Sequence, residues 1–169
     1  STIRVWDVES GRQLQSYASP VSSVSGIAVR DGKALIWSTL SRQAAVMDVE
    51  TGKSTALTRS PADRLSGAAW SADGKSVYLM AGTIDGGVYH WDPSTTTLPQ
   101  KLDAWPRAAN SVFPLPPDKS DASGAGRLLV IGGTMKLNPN PPPGVSQPAL
   151  MYDTGRAGLL STPDHRLLN

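Results

Sequence analysis

His90 and His165 are the only two histidines in 169 residues, and there is no cysteine. That inventory excludes a disulfide framework, a thiolate zinc site and a thiol nucleophile. Two histidines so far apart, with no thiolate between them, lack the spacing of a zinc-ligand set. His90 precedes Trp91 in a predicted strand, where alternation turns it to the face opposite Tyr89 and Trp91. Its expected role is a structural hydrogen bond or plain exposure. His165, in Pro163-Asp-His-Arg166, is expected at the surface. A Ser-His-Asp set is assembled from distant positions, and no Gly-x-Ser-x-Gly elbow marks one here. The carboxylate pairs Asp7/Glu9 and Asp48/Glu50 occupy the same place in two copies of a repeated phrase. A catalytic pair has no reason to recur in this way, whereas a turn element does. Gly132-Gly133 lacks the further Gly and the Lys of a phosphate loop. Asp85-Gly86-Gly87 lacks the oxygen ligands of a calcium loop. The expectation is therefore a non-enzymatic chain with no catalytic, metal or cofactor site.

The elements that hold these residues repeat. Ile3-Arg-Val-Trp-Asp-Val-Glu-Ser-Gly11 returns as Ala45-Val-Met-Asp-Val-Glu-Thr-Gly52. It returns again as Val88-Tyr-His-Trp-Asp-Pro-Ser-Thr-Thr96, and more loosely as Ala149-Leu-Met-Tyr-Asp-Thr-Gly155. The aspartates Asp7, Asp48, Asp92 and Asp153 stand 41, 44 and 61 residues apart. A second phrase keeps the period: Ser25-Gly-Ile-Ala-Val-Arg-Asp31-Gly32-Lys33 against Ser66-Gly-Ala-Ala-Trp-Ser-Ala-Asp73-Gly74-Lys75. Asp-Gly between apolar runs is a hairpin signal, because the tight turn needs positive φ. Val112-Phe-Pro-Leu115 and Arg127-Leu-Leu-Val-Ile131 form a blurred third copy. Two phrases in fixed phase predict four short strands per repeat. Their contiguous apolar residues suit sheets packed on both faces.

Composition agrees. Gly (16) and Pro (14) supply turns throughout, and 39% hydrophobic with 18% charged residues describes a globular chain. The net charge of +2 comes without a Lys/Arg run, so no nucleic-acid footprint is expected. The apolar runs, Leu128 to Ile131 among them, are far too short for a membrane-spanning helix. The opening residues lack a signal-peptide layout. No membrane insertion is expected, and an intracellular, cytoplasmic location fits best.

The Trp-Asp endings at Trp6-Asp7 and Trp91-Asp92, with Ile84-Asp-Gly-Gly-Val-Tyr-His-Trp-Asp92, resemble the WD40 signature, well over residues 1 to about 102 and weakly beyond. The resemblance implies an all-β, WD40-type β-propeller with about 3.5 four-stranded antiparallel blades of a larger ring. Residues 1–18 would end a first blade, 22–60 form a second and 63–103 a third. Residues 108–161, with Pro-rich insertions, would form a fourth, and 162–169 a tail or the start of another blade. Within the fourth, strands are expected at 109–114, 127–132, 148–153 and 157–161. The structural signature would be carried by Trp6, Asp7, Asp48, Asp85, Trp91 and Asp92, with Trp6 and Trp91 as core residues of third strands and Trp37 and Trp70 packed between blades. Departures are plain: Met47 replaces a Trp, Ala81 stands where a Ser/Thr is usual, and no Gly-His pair exists. Propellers close with roughly 4–8 blades. The chain is therefore expected to be part of a larger ring and not to fold alone as a soluble monomer.

The implied function is a non-catalytic protein–protein interaction scaffold, a propeller segment of a larger protein or multisubunit assembly. Its partners would be other proteins and the remaining blades of its own parent chain. Two alternatives stand beside it. A Pro-rich stretch followed by an apolar strand ending Gly132-Gly133 resembles the tomosyn/lethal-giant-larvae propellers, which implies a SNARE-binding regulator of vesicle exocytosis. The other is a propeller enzyme with its site in other blades. Candidate contact residues are Trp105 and Arg107, in the connection between third and fourth blades, where Trp and Arg suit an interface. Pro141, Pro142 and Pro143 form a polyproline II segment that could enter an aromatic groove. For Trp105 the competing expectation is an indole folded under its own loop.

Overall fold

The computed structural model describes residues 1–57, 64–82, 86–95, 98–105, 108–116, 126–133, 135–137, 150–152, 156–161 and 167–168. The described residues are all β. A two-stranded sheet pairs β1 (Thr2–Trp6) with β2 (Gln13–Ala18). A four-stranded sheet runs β3 (Gly26–Arg30), β4 (Lys33–Trp37), β5 (Ala44–Asp48), β6 (Ser54–Ala56). The third runs β7 (Leu65–Trp70), β8 (Val77–Ala81), β9 (Gly87–Trp91), β10 (Gln100–Lys101). In the fourth, β11 (Ala109–Leu115) and β12 (Arg127–Gly132) are followed by β15 (Arg156–Ser161) and β16 (Leu167–Leu168). The hairpin β13 (Met135–Leu137) and β14 (Leu150–Tyr152) stands apart from that sheet. Every pairing is antiparallel. The architecture is compatible with a propeller-like fold.

Each central strand divides its side chains between two cores. On β4, Ala34 and Ile36 pack toward the first sheet with Ala45 and Met47, while Leu35 packs toward the third with Val46. On β8, Val77, Leu79 and Ala81 join the core shared with the second sheet. Tyr78 and Met80 join Val112, Leu128 and Val130 in the core shared with the fourth. Period-two alternation between two apolar environments is the physical reason these strands read as unbroken apolar runs. A fully buried Leu35 or Leu79 stabilises by about 1.5–3 kcal/mol, and it does so by joining one sheet to the next.

Two expectations are corrected. The strand beside β12 is 156–161, through Leu128↔Leu160 and Gly132↔Arg156, and not 148–153. Residues 150–152 pair with β13 instead. The phrase Ala149-Leu-Met-Tyr reads as a third strand because it is an apolar run that ends in Asp, but it is Arg156–Ser161 that pairs with β12 along its whole length. Trp6, expected in a core, is 52% exposed. Its equivalents Met47 and Trp91 are buried against the preceding sheet, and among the described residues no sheet lies on that side of β1. Trp91 and Trp70 are buried, as expected, between the second and third sheets.

Candidate interaction surface at the turn-bearing end of the sheets

In an antiparallel sheet the first–second and third–fourth connections lie at the same end. Those ends are aligned between the second and third sheets. The Val49 N–H donates to the Gly32 carbonyl at 2.8 Å, tying the two turns of the second sheet together. The Tyr17 hydroxyl reaches from the first sheet to the carbonyl oxygens of Glu50 (2.7 Å) and Val49 (3.1 Å). Arg30 reaches from the second sheet to the third, where its guanidinium donates to the carbonyls of Ser71 (2.9 Å) and Ala72. One end of the second and third sheets thus gathers Asp31, Asp48, Asp73 and Asp92, while Tyr17, which pairs with Ile3 at the end of β2 away from the Asp7 turn, meets the Asp48 loop.

The turns are built from their own residues. Asp31 and Gly32 have φ of 47° and 71°, the paired positive values of a type I′ hairpin turn. The Asp7 carboxylate accepts from the Ser10 N–H at 2.7 Å and from the Ser10 hydroxyl. That of Asp48 accepts from the Thr51 N–H (2.7 Å) and hydroxyl (2.8 Å). Asp92 does the same with Ser94, at 2.8 Å and 2.6 Å. A short acceptor side chain meeting N–H groups two or three residues on is the Asx turn. The recurring carboxylates are therefore turn braces. Hydrogen bonding holds each below the usual carboxylate range: the Ser10 hydroxyl first for Asp7, the Thr51 N–H for Asp48, the Ser94 hydroxyl for Asp92. Gly11 and Gly52 close their loops at φ of 66° and 72°.

A polar relay underlies the third-sheet turn. The Ser71 hydroxyl donates to Asp73 at 2.6 Å and accepts from the Ser76 N–H at 3.0 Å. The Ser76 hydroxyl lies 2.8 Å from His90 Nε2. Burial pushes the His90 imidazole down, against the smaller opposing pull of Asp92 and Asp73. Its ring lies 5.4 Å from that of Tyr78, tilted by 49°, and burial pushes the Tyr78 phenol up to about 12. His90 makes the structural hydrogen bond expected of it.

Asp7 and Asp92 follow β1 and β9, and Asp48 ends β5; of these signature aspartates, Asp48 and Asp92 lie at the same end of the joined second and third sheets. Trp105 is only 6% exposed and sits in the core between the third and fourth sheets with Leu102 and Ala109. Of its two expected roles, the folded-under indole is the one observed, and as a surface contact it is corrected. Asp85, Arg107, Pro141, Pro142, Pro143 and His165 lie outside the described residues. Sequence reasoning missed Tyr17, Arg30 and Ser66, whose hydroxyl donates to the Ala109 carbonyl at 2.7 Å, as ties between sheets. Their partners are backbone carbonyls, which leave no mark on residue type. Among the described residues, no group of three or more His, Cys, Asp or Glu is placed to hold a metal ion. No helix among them is long and apolar enough to cross a membrane. No family model and no curated protein matches the chain.

Proposed function

We propose that the chain is a WD40-type propeller segment that works as a non-catalytic protein-binding scaffold. The observation that carries this reading is the division of β4 and β8 between successive cores. Sheets joined in this way make a stiff wall, and the turns along one end become a fixed array of carboxylates and cations. Recognition by such a surface works through shape, hydrogen bonding and charge placement, without bond chemistry. The Asx braces and the Tyr17 and Arg30 ties hold the array still, so little ordering entropy is lost on docking.

The test is chemical cross-linking of the protein with its captured partners, read by mass spectrometry. Lys33, Lys53 and Lys75 border the turns, and cross-links to one partner should concentrate on them. Charge reversal at two of the three should weaken capture. Cross-links confined to other surfaces, or capture indifferent to these charges, would refute the assignment of this end as the docking face.

A further inference from the structure

Two Asp-Gly-Lys triplets join the first two strands of successive sheets, Asp31-Gly32-Lys33 between β3 and β4 and Asp73-Gly74-Lys75 between β7 and β8. Their covalent chemistry is the same, and the fold treats them differently. At the second triplet the Asp73 carboxylate accepts from the Ser71 hydroxyl at 2.6 Å and from the Lys75 N–H at 3.1 Å. The Gly74 N–H donates to the Ser71 carbonyl at 3.0 Å. The carboxylate and the nitrogen that follows it are each held. At the first triplet the Asp31 side chain is 79% exposed, and it meets Arg30 Nε at 3.4 Å. Among the described residues the Gly32 N–H has no hydrogen-bond acceptor. A Cβ on Gly32 would meet nothing within 4 Å, so no neighbour crowds the tip of the turn. Asp7, Asp48 and Asp92 resemble Asp73 in accepting from a backbone N–H. Asp31 has no such brace.

We infer that Asp31-Gly32 is a site of spontaneous covalent modification, where aspartate converts to isoaspartate through a cyclic imide. The Gly32 nitrogen gives up its proton and bonds to Asp31 Cγ, and a carboxyl oxygen leaves as water. Water then opens the imide at either carbonyl. Opening at Cγ restores aspartate. Opening at the α-carbonyl leaves the main chain running through Cβ and Cγ, with a free α-carboxylate. Water lost and water gained cancel, and no oxidant or other reactant is needed. Ring closure requires the tip to swing open so that the Gly32 nitrogen faces Cγ. The left-handed φ of Asp31, 47°, is unfavourable for a residue with a Cβ, and that motion relieves it. The product carries one more backbone carbon in a turn of two residues, with Arg30 and Lys33 paired across it. The Val49 N–H donates to the Gly32 carbonyl on one side. On the other, Arg30 holds the Ser71 and Ala72 carbonyls, and a Cβ on Gly74 would come within 3.0 Å of Asp31 Oδ2. Lengthening the turn therefore loosens the seam between the second and third sheets, whatever partner docks beside it.

The test is timed incubation of the protein isolated from its native source, below its unfolding temperature, with protected β4 and β8 amides reporting the fold. Peptide mapping follows each triplet. Isoaspartate resists an aspartate-specific endoprotease and gives diagnostic backbone fragments on electron-transfer dissociation. In urea-unfolded protein the two triplets should convert at similar rates. In folded protein Asp31 should convert about tenfold faster than Asp73, because the braced site must first open locally. Equal folded-state rates, or Asp73 ahead, would overturn the inference. So would an unfolded-state difference as large as the folded one, because the chain chemistry alone would then explain it. Aged protein should also exchange its Val49 amide faster, in proportion to the isoaspartate at position 31. Asp31→Ser, which has no carboxyl to cyclise, should age without that change. Val49 exchange that stays constant as isoaspartate accumulates, or rises equally in Asp31→Ser, would count against the loosened seam.

Discussion

The indole Nε1 of Trp70 donates to the carbonyl oxygen of Ala28 at 3.0 Å, across the joint between the second and third sheets. Arg30 crosses the same joint to Ser71 and Ala72, so the two ties flank one seam. Trp70→Phe keeps most of the ring and leaves the Ala28 carbonyl without this donor, which should destabilise by about 1–3 kcal/mol. Trp70→Ala also opens a cavity and should destabilise by about 3–5 kcal/mol. Denaturant unfolding of the two variants checks the order. A double-mutant cycle with Arg30→Ala should show coupling, because both side chains hold the same interface.

Gly52 and Gly11 have nearly the same φ, and their surroundings differ. A Cβ on Gly52 would overlap the Tyr17 ring, while one on Gly11 meets nothing within 4 Å. Gly11→Ala should therefore carry only the left-handed backbone penalty, about 1–2 kcal/mol. Gly52→Ala should carry that and also displace Tyr17 from Val49 and Glu50. Thermal unfolding should rank Gly52→Ala clearly below Gly11→Ala. The excess should vanish when both are measured in a Tyr17→Ala background.

Two pH windows should separate. His90 is depressed in the folded state below its ordinary 6.5. As pH falls through that value, the unfolded chain binds its proton first, and stability declines until the folded state protonates too. Asp7, Asp48, Asp73 and Asp92 are also depressed, below an ordinary 3.8. Their contribution is present above that value and is lost as pH falls through their lower folded-state values. His90→Gln should flatten the upper window and leave the acid one in place, as measured by urea midpoints across pH 3–8.

Asp48 offers a cleaner test of the turn brace than of charge. Its partners are the N–H groups of Glu50 and Thr51 and the Thr51 hydroxyl, and all of them donate. An amide oxygen accepts the same bonds. Asp48→Asn should therefore retain the turn, and Asp48→Ala should lose it. The variants should differ in hydrogen exchange at Gly52, whose N–H donates to the residue-48 carbonyl, and at residue 48 itself, whose N–H donates to the Lys53 carbonyl.

The strands of the second and third sheets were legible because their turns carry the chemistry they need. Asp31-Gly32 demands positive φ, and Asp48 with Thr51 and Gly52 spells its own loop. The exposure of Trp6 was hidden because residue type records which face a strand could bury, while burial depends on whether a neighbouring sheet is there. Trp105 was misplaced for the converse reason. A connection reads as surface by position, yet its indole fills the gap beside Ala109 and Leu102. The order of the fourth sheet failed because two segments, 150–152 and 156–161, both satisfy the strand pattern, and only pairing partners distinguish them.

That ambiguity yields the last prediction. β12 and β15 are direct neighbours, with Gly132 opposite Arg156, so the segment between them adds no strand to the fourth sheet. Gly132 lies so close to the Ala108 backbone that a Cβ would overlap it, and the Gly133 N–H donates to the Ala108 carbonyl at 3.2 Å. Both glycines must stay. Deleting residues 135–155 leaves Gly133-Thr134 as a two-residue connection, with Gly at the first position as a type II′ turn requires. Because loop closure becomes easier with a shorter loop, the deletion should keep the fold and leave the unfolding midpoint unchanged or raised. Exchange protection at Leu128 and Val130 should persist. If partner capture is lost while that protection remains, the excised segment, which includes Pro141, Pro142 and Pro143, is a docking arm carried by the sheet. Lost protection would instead show that the hairpin β13–β14 braces the sheet from outside its ladder.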